Sequence, residues 1–171
     1  SPGVAPAAQR LTGQAQQAVA STNPIRLQLM LHPRLKSTDT TEPIAAGLGV
    51  SPGAASGLIV FTAEDAVRLK ARGRHCILVV TETGPTDIQG MKAATGILTA
   101  RGGMTSHAAV VARGMGRCCV AGCNEIFIDE EAKLFRTQEN RVFHEGDSIS
   151  LDGDTGRVYG EQLPTVPASI S

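Results

Sequence analysis

The sequence predicts an α/β domain that carries a second, all-β sheet, and three observations predict it. Between Gly47 and Gly116 short apolar runs alternate with stretches of helical spacing. After Cys118 the helical stretches stop, and brief strand-like runs follow one another across tight turns. At 171 residues and 42% hydrophobic content, the chain is long enough to bury one substantial core.

Taken in order, Ser1–Ala8 is rich in Pro and Ala, which favours no regular element. Leu11, Ala15, Ala18 and Val19 have helical spacing, interrupted by Gly13. Asn23-Pro24 suits an N-cap and first helical residue before Ile25–Met30, although that run also alternates at period two. Ser37–Pro43 reads as a polar linker. The expected division is therefore an N-terminal extension over 1–45, a domain over 46–163 and a C-terminal linker over 164–171. A start at Ser1 and a soft end at Pro164–Ser171 suggest a piece of something larger.

Within the domain, Gly57–Phe61 is a short strand and Ala63–Arg72 a helix. Cys76–Thr81 is a continuous apolar run, as in a strand buried on both faces. A helix over Thr86–Ala94 follows, with Thr86 as its expected cap, and then the strand Gly96–Ala100. The next helix covers Thr105–Arg113 and ends at Gly114 and Gly116. Cys118–Ala121, Leu134–Arg136, Arg141–Phe143, Ser148–Leu151 and Arg157–Tyr159 complete the strands. Gly47–Gly53 mimics a dinucleotide-binding fingerprint, but Pro52 takes the place of its third glycine, so it is read as a turn. Asp129-Glu130-Glu131 is read as a solvated turn, and His32, His75 and His144 as surface or packing residues.

Sixteen basic and sixteen acidic residues leave no net charge to draw the chain to nucleic acid or an anionic membrane. Four Phe and one Tyr offer little surface for base stacking. No apolar run approaches the length of a membrane span, and no secretory signal opens the chain. Of the four cysteines, Cys118 and Cys119 are neighbours that an extended segment would send to opposite faces. Cys119 and Cys123 have a spacing that zinc accepts, with His144 as a third ligand, which defines a rival reading as a metal-stabilised binding module. Buried, reduced thiols are the preferred reading, and with them an intracellular, reducing compartment.

The chemistry concentrates in Thr99–Arg113. There a histidine, His107, falls in the first turn of a helix, directly after a strand and the turn Gly102-Gly103. The first N–H groups of a helix lack intrahelical partners and its dipole is positive there, so such an end receives phosphate. Gly102 and Gly103 allow the backbone to approach a ligand closely. Thr105 can cap the helix or reach a phosphoryl oxygen, and Arg101 supplies charge, while Arg113 lies two turns further on. The positive end favours a neutral, nucleophilic imidazole and welcomes an anionic group placed on it, an arrangement for covalent phosphorylation of the ring. Ala108, Val111, Ala112 and Met115 share the face expected to meet the core. Ser106 and His107 are not a hydrolase pair, because adjacent helical residues do not face each other.

Gly102-Gly103-Met104-Thr105-Ser106-His107-Ala108-Ala109-Val110-Val111-Ala112-Arg113 resembles the phosphohistidine signature of the phosphoenolpyruvate-utilising enzymes. Gly49–Gly57, Gly90–Thr99 and Gly114–Gly122 support the resemblance, which runs from about Gly47 to Leu163. Met104 together with Arg101, Ser106 and the Cys118-Cys119 pair is more similar to the dikinase branch than to the synthase or sugar-phosphotransferase branches. The resemblance implies a three-layer β/β/α swivelling phosphohistidine domain. It implies that His107 accepts a pyrophosphoryl or phosphoryl group from ATP at a separate nucleotide-binding domain. Delivery to pyruvate, or the reverse from phosphoenolpyruvate, is then expected at a separate barrel domain. Arg101, Gly102, Gly103, Thr105 and Ser106 are the implied phosphate-binding residues, with Thr105 also a candidate for regulatory phosphorylation. No cofactor is implied on this domain. Magnesium is expected in the partner domains, and the full enzyme as a homo-oligomer that this piece cannot replace in turnover. A synthase-type carrier, in which water replaces phosphate, is the second rival.

Overall fold

The computed structural model describes residues 34–35 and 42–166, which lie in a compact unit spanning Arg34–Val166. The helix readings at Leu11–Val19 and Asn23–Met30, and most of the Ser37–Pro43 linker, lie outside the described residues.

Strands β1 (Arg34–Leu35), β2 (Ala45–Ala46), β3 (Leu48–Ser51) and β4 (Ala54–Val60) come first. Helix α1 (Ala63–Ala71), strand β5 (Cys76–Val80), a 3-10 turn (Pro85–Asp87) and helix α2 (Ile88–Ala93) follow. Strand β6 (Gly96–Thr99), helix α3 (His107–Met115) and strand β7 (Cys118–Ala121) end the α/β half. The rest is β8 (Ile126–Asp129), β9 (Leu134–Thr137), β10 (Val142–His144), β11 (Ser148–Asp152), β12 (Arg157–Tyr159) and β13 (Thr165–Val166).

An eight-stranded sheet runs in the order β2-β12-β11-β4-β5-β6-β7-β3, with β4 to β7 parallel in chain order. Parallel neighbours need crossover connections, and α1, α2 and α3 supply them. The segment Ala45–Ser51 pairs with β12 through its first strand and with β7 through its second, so the two margins of the sheet meet. Gly47–Gly53 was expected to be a turn. Its alternation is masked by Gly47, Gly49 and Pro52, and its pairing is set by partners more than 60 residues away, which no local signal reveals.

Alternation along the parallel strands sorts their side chains into two cores. Val60, Leu78, Val80, Ile97, Cys119 and Ala121 face the helices, where Ala66, Met91, Ala108, Ala109 and Ala112 meet them. Ile59, Ile77, Val79, Leu98, Cys118 and Val120 face the other way, against Ile126, Phe135 and Phe143 of a three-stranded antiparallel sheet, β10-β9-β8. Helices, large sheet and small sheet therefore form three layers, β/β/α. Every residue of β5 is buried, as its unbroken apolar run requires. Cys118 and Cys119 do point to opposite faces.

Two local readings need correction. Thr86 does not cap α2: the helix is entered through the 3-10 turn, and the carboxylate of Asp87 accepts the Gly84 N–H at 2.8 Å. Strand β8 was not anticipated, since Phe127 points outward and removes the polar alternation that marks a half-buried strand.

Candidate functional site

The site stands at the C-terminal edge of the parallel strands, where open α/β sheets hold their ligands. Beyond β6 the ladder continues for two residues, with Ala100 N–H donating to Val80 O (3.1 Å) and Arg101 N–H to Thr81 O (3.0 Å). The buried Thr99 hydroxyl donates to Arg101 O at 2.7 Å and fixes the base of the loop. Gly102 then turns with φ +104°, and a Cβ there would come within 2.8 Å of Ser106 Cβ, so a side chain is excluded twice over. Gly122, also in the left-handed region at φ +61°, lets the loop pass, because its missing Cβ would meet Gly102 O at 2.6 Å.

The cap of α3 is Ser106 and not Thr105. Its hydroxyl donates to Gly103 O (2.8 Å) and accepts the Ala109 N–H (3.3 Å), while its own N–H also donates to Gly103 O (3.1 Å). The helix closes at Gly116 with φ +71°. Thr105 is exposed and Gly103 half-buried. The Arg113 guanidinium donates to Val50 O (2.9 Å) and Met104 O (2.6 Å). It therefore ties loop, helix and sheet margin together. Arg101 extends into solvent, with its guanidinium 3.9 Å from the Glu82 carboxylate.

His107 is the first residue of α3 and half-buried. No acidic residue lies in the first turn of that helix, and its leading N–H groups have no intrahelical acceptors. The Nδ1 of the ring lies 2.8 Å from the Thr83 hydroxyl, which leaves Nε2 as the nitrogen available for chemistry. Thr83 is the residue that sequence reasoning missed. It follows β5 by three positions, in the loop beside the one that carries His107. The rule that ligands gather at the C-terminal ends of parallel strands could have marked its hydroxyl.

The metal-module reading is overturned by placement. Cys119 packs on the helix side of the sheet, Cys123 in the opposite core, and His144 is exposed, 3.9 Å from Asp147. Among the described residues no three His, Cys, Asp or Glu side chains are grouped as metal ligands would be. All four cysteines are buried free thiols, and burial pushes Cys76 up to about 11 and Cys119 and Cys123 up to about 12. Burial, with help from the neighbouring Cys119, raises Cys118 further still. Such thiols stay protonated and act as small apolar side chains.

A sheet edge presenting a histidine on an uncompensated helix end defines a class. Over residues 73–156 the chain matches the family described as PEP-utilising enzyme, mobile domain. Its curated relatives narrow the match to pyruvate, phosphate dikinase. The chain is 51% identical over 158 residues to the Clostridium symbiosum protein, covering 91% of this chain and 18% of that one. It is 50% identical over 158 residues to pyruvate, phosphate dikinase 2 of Oryza sativa subsp. japonica, with coverages of 91% and 18%. Against the chloroplastic protein of Flaveria trinervia the identity is 54% over 145 residues, covering 83% of this chain and 15% of that one. The chain thus spans less than a fifth of the length of these relatives. A solution structure of Enzyme I (nEIt) overlaps 49% of this chain and 29% of its own, at a TM-score of 0.34 and 24% identity, which adds nothing to the assignment.

Proposed function

We propose that this chain is the phosphoryl-carrier domain of a pyruvate, phosphate dikinase, with His107 as the carrier. The observation that carries this reading is the seat of His107: the first residue of a helix whose positive end holds no acid, with Nδ1 already engaged. At the nucleotide-binding domain, the Nε2 lone pair forms a bond to phosphorus while the bond to the departing AMP oxygen breaks. Inorganic phosphate then removes the terminal phosphoryl group as pyrophosphate. At the barrel domain, the remaining phosphoryl passes to the enolate oxygen of pyruvate and gives phosphoenolpyruvate.

In that scheme the loop Arg101–Ser106 receives the phosphoryl oxygens. Gly102 and Gly103 bring backbone close, the Thr105 hydroxyl is free to donate, and Arg101 exchanges its Glu82 partner for the incoming anion. Ser106 acts through position, since its hydroxyl proton and one lone pair are committed to Gly103 O and the Ala109 N–H. Magnesium belongs to the partner domains, where it would screen the charge of ATP and phosphoenolpyruvate. The carrier must travel between two sites, and β1 and β13 suit this, because the two flanks of the unit pair with each other antiparallel.

The test is phosphoenolpyruvate labelled in its phosphoryl group, supplied with magnesium to the intact enzyme. An acid-labile, alkali-stable label on His107, lost in His107→Asn, is the expected result. Label retained by His107→Asn contradicts the reading. Dependence of the ATP half-reaction on inorganic phosphate separates dikinase from synthase chemistry.

A further inference from the structure

Of the four phenylalanines, Phe61, Phe135 and Phe143 are buried. Phe127 is 57% exposed, and it lies within a strand, β8, where such a ring has no turn to decorate. The register of the three-stranded sheet shows its surroundings. Arg136 of β9 lies directly opposite Phe127 on one side and Val142 of β10 on the other. In the next row of the same face, Leu134 stands between Asp129 and His144. The residues that alternate with these, Ile126, Phe135 and Phe143 among them, turn inward to the core.

A sheet with one face in water carries polar side chains on that face. Here Phe127, Val142 and the half-buried Leu134 take half of its positions. The polar groups of the second row are engaged locally: Asp129 accepts the Ala132 N–H at 3.0 Å, and His144 lies 3.9 Å from Asp147. Arg136 is exposed between its two apolar neighbours, and among the described residues no carboxylate pairs with its guanidinium. An aromatic ring, an arginine and an aliphatic side chain in one row have the composition of the energetic centre of an interface.

Size and position select the occupant. By strand spacing and rise, two rows across three strands cover roughly 200 Å². That is a quarter of the about 800 Å² that each partner buries in a free-standing complex, so a second copy of this chain would not stay on it. A domain tethered to the same polypeptide would, because a tether supplies an effective concentration in the millimolar range. The relatives leave room for one, since this chain spans 18% of the Clostridium symbiosum dikinase. The large sheet also separates this face from α3, which carries His107 in the opposite layer.

We propose that the outer face of β8, β9 and β10 is a docking surface for another domain of the same enzyme, one that offers Phe127 and Val142 an apolar recess and Arg136 a carboxylate. The proposal rests on the reading of this chain as one domain of a larger enzyme, and not on the chemistry of His107. Docking through this face holds the carrier by its back and leaves the histidine uncovered. The small area lets it release at each cycle.

The test places the photo-crosslinker p-benzoylphenylalanine in place of Phe127 in the intact enzyme, and mass spectrometry identifies what it captures on irradiation. A cross-link within one polypeptide, to a segment outside these 171 residues, is expected, and Arg136→Glu should reduce its yield at least fivefold. Capture of a second subunit, of a segment within the 171 residues or of nothing overturns the proposal, as does a yield that Arg136→Glu leaves unchanged. In kinetics, Phe127→Thr and Arg136→Glu should each slow one of the two half-reactions roughly tenfold and leave the other within about twofold. Wild-type rates in both variants overturn the proposal as well. Both positions are exposed and threonine suits a strand, so circular dichroism of the 171-residue variants should match the wild type. Absence of any label on His107 in the wild-type enzyme would defeat the carrier reading and leave the cross-link standing.

Discussion

Helices α1 and α3 begin alike and are finished differently. Each follows a parallel strand at the same edge of the same sheet, and each has a hydroxyl at its cap that accepts the N–H three residues on: Thr62 from Asp65 (3.0 Å) and Ser106 from Ala109 (3.3 Å). At α1 the positive end is answered from within. Glu64 and Asp65 lie in its first turn, and the buried Asp65 carboxylate bonds Arg68 and, at 3.2 Å, Lys133 of the β8–β9 turn. At α3 the first turn holds no acid, and His107 stands where Ala63 stands in α1. One helix end has its field cancelled by its own side chains and serves stability. The other holds no such acid, and under the proposed function it receives an anion that arrives from outside.

The comparison is broken most severely by putting an acid where α3 has none. Thr105→Glu should suppress phosphorylation of His107 by about a hundredfold, through like-charge repulsion at a helix end. The protein should stay folded, because Thr105 is exposed. Initial labelling rates measure this. Gly102→Val comes next. It forces a side chain into φ +104° and against Ser106, which should cost about 1–3 kcal/mol in chemical denaturation and slow labelling at least tenfold.

At the other helix the expected loss is of stability alone. Asp65→Ala should lower the unfolding free energy by about 1–2 kcal/mol, a value held down by the exposure of Lys133, and should leave labelling of His107 intact. The pH dependence sharpens the point. Burial raises the Asp65 carboxyl, but contacts with Glu145, Lys133, Thr62 and Arg68 outweigh it and hold the group at about 2, against an ordinary 3.8. A carboxyl depressed on folding contributes stability above its unfolded value and loses it as pH falls from about 3.8 toward 2. Glu145 is raised, first by burial and then by Asp65, and its ionisation opposes folding as pH climbs through its raised value. Acid unfolding of Asp65→Asn should therefore lack much of the decline between pH 4 and 2 that the wild type shows. The smallest effects concern the caps. Thr62→Ala and Ser106→Ala should each cost about 1 kcal/mol, and only Ser106→Ala should also slow labelling.

How far the sequence revealed this fold depended on whether a signal was local. The parallel strands were legible because burial on both faces makes β5 apolar throughout, and α1 and α3 because their apolar residues recur at helical spacing. Strand β3 was not, since its place beside β7 is a long-range pairing through a segment of glycines. At the site, His107 and its glycine turn could be placed from spacing alone, as strand, turn and helix start are consecutive in the chain. The capping role of Ser106 over Thr105 is a shift of one residue, finer than helix boundaries can be read. Thr83 belongs to a different loop, 24 residues before His107, and only the parallel register of β5 and β6 brings the two side chains together. Arg113 was equally hidden. It lies two turns down the helix in the sequence, yet its length carries the guanidinium back to Met104 O.

The most direct test of the central claim is a proton–nitrogen NMR spectrum of the intact enzyme, 15N-labelled at histidine and phosphorylated from phosphoenolpyruvate. A phosphoryl group bonded to Nε2 of His107 is the predicted result. Phosphorylation at Nδ1, or on a residue other than His107, would contradict it.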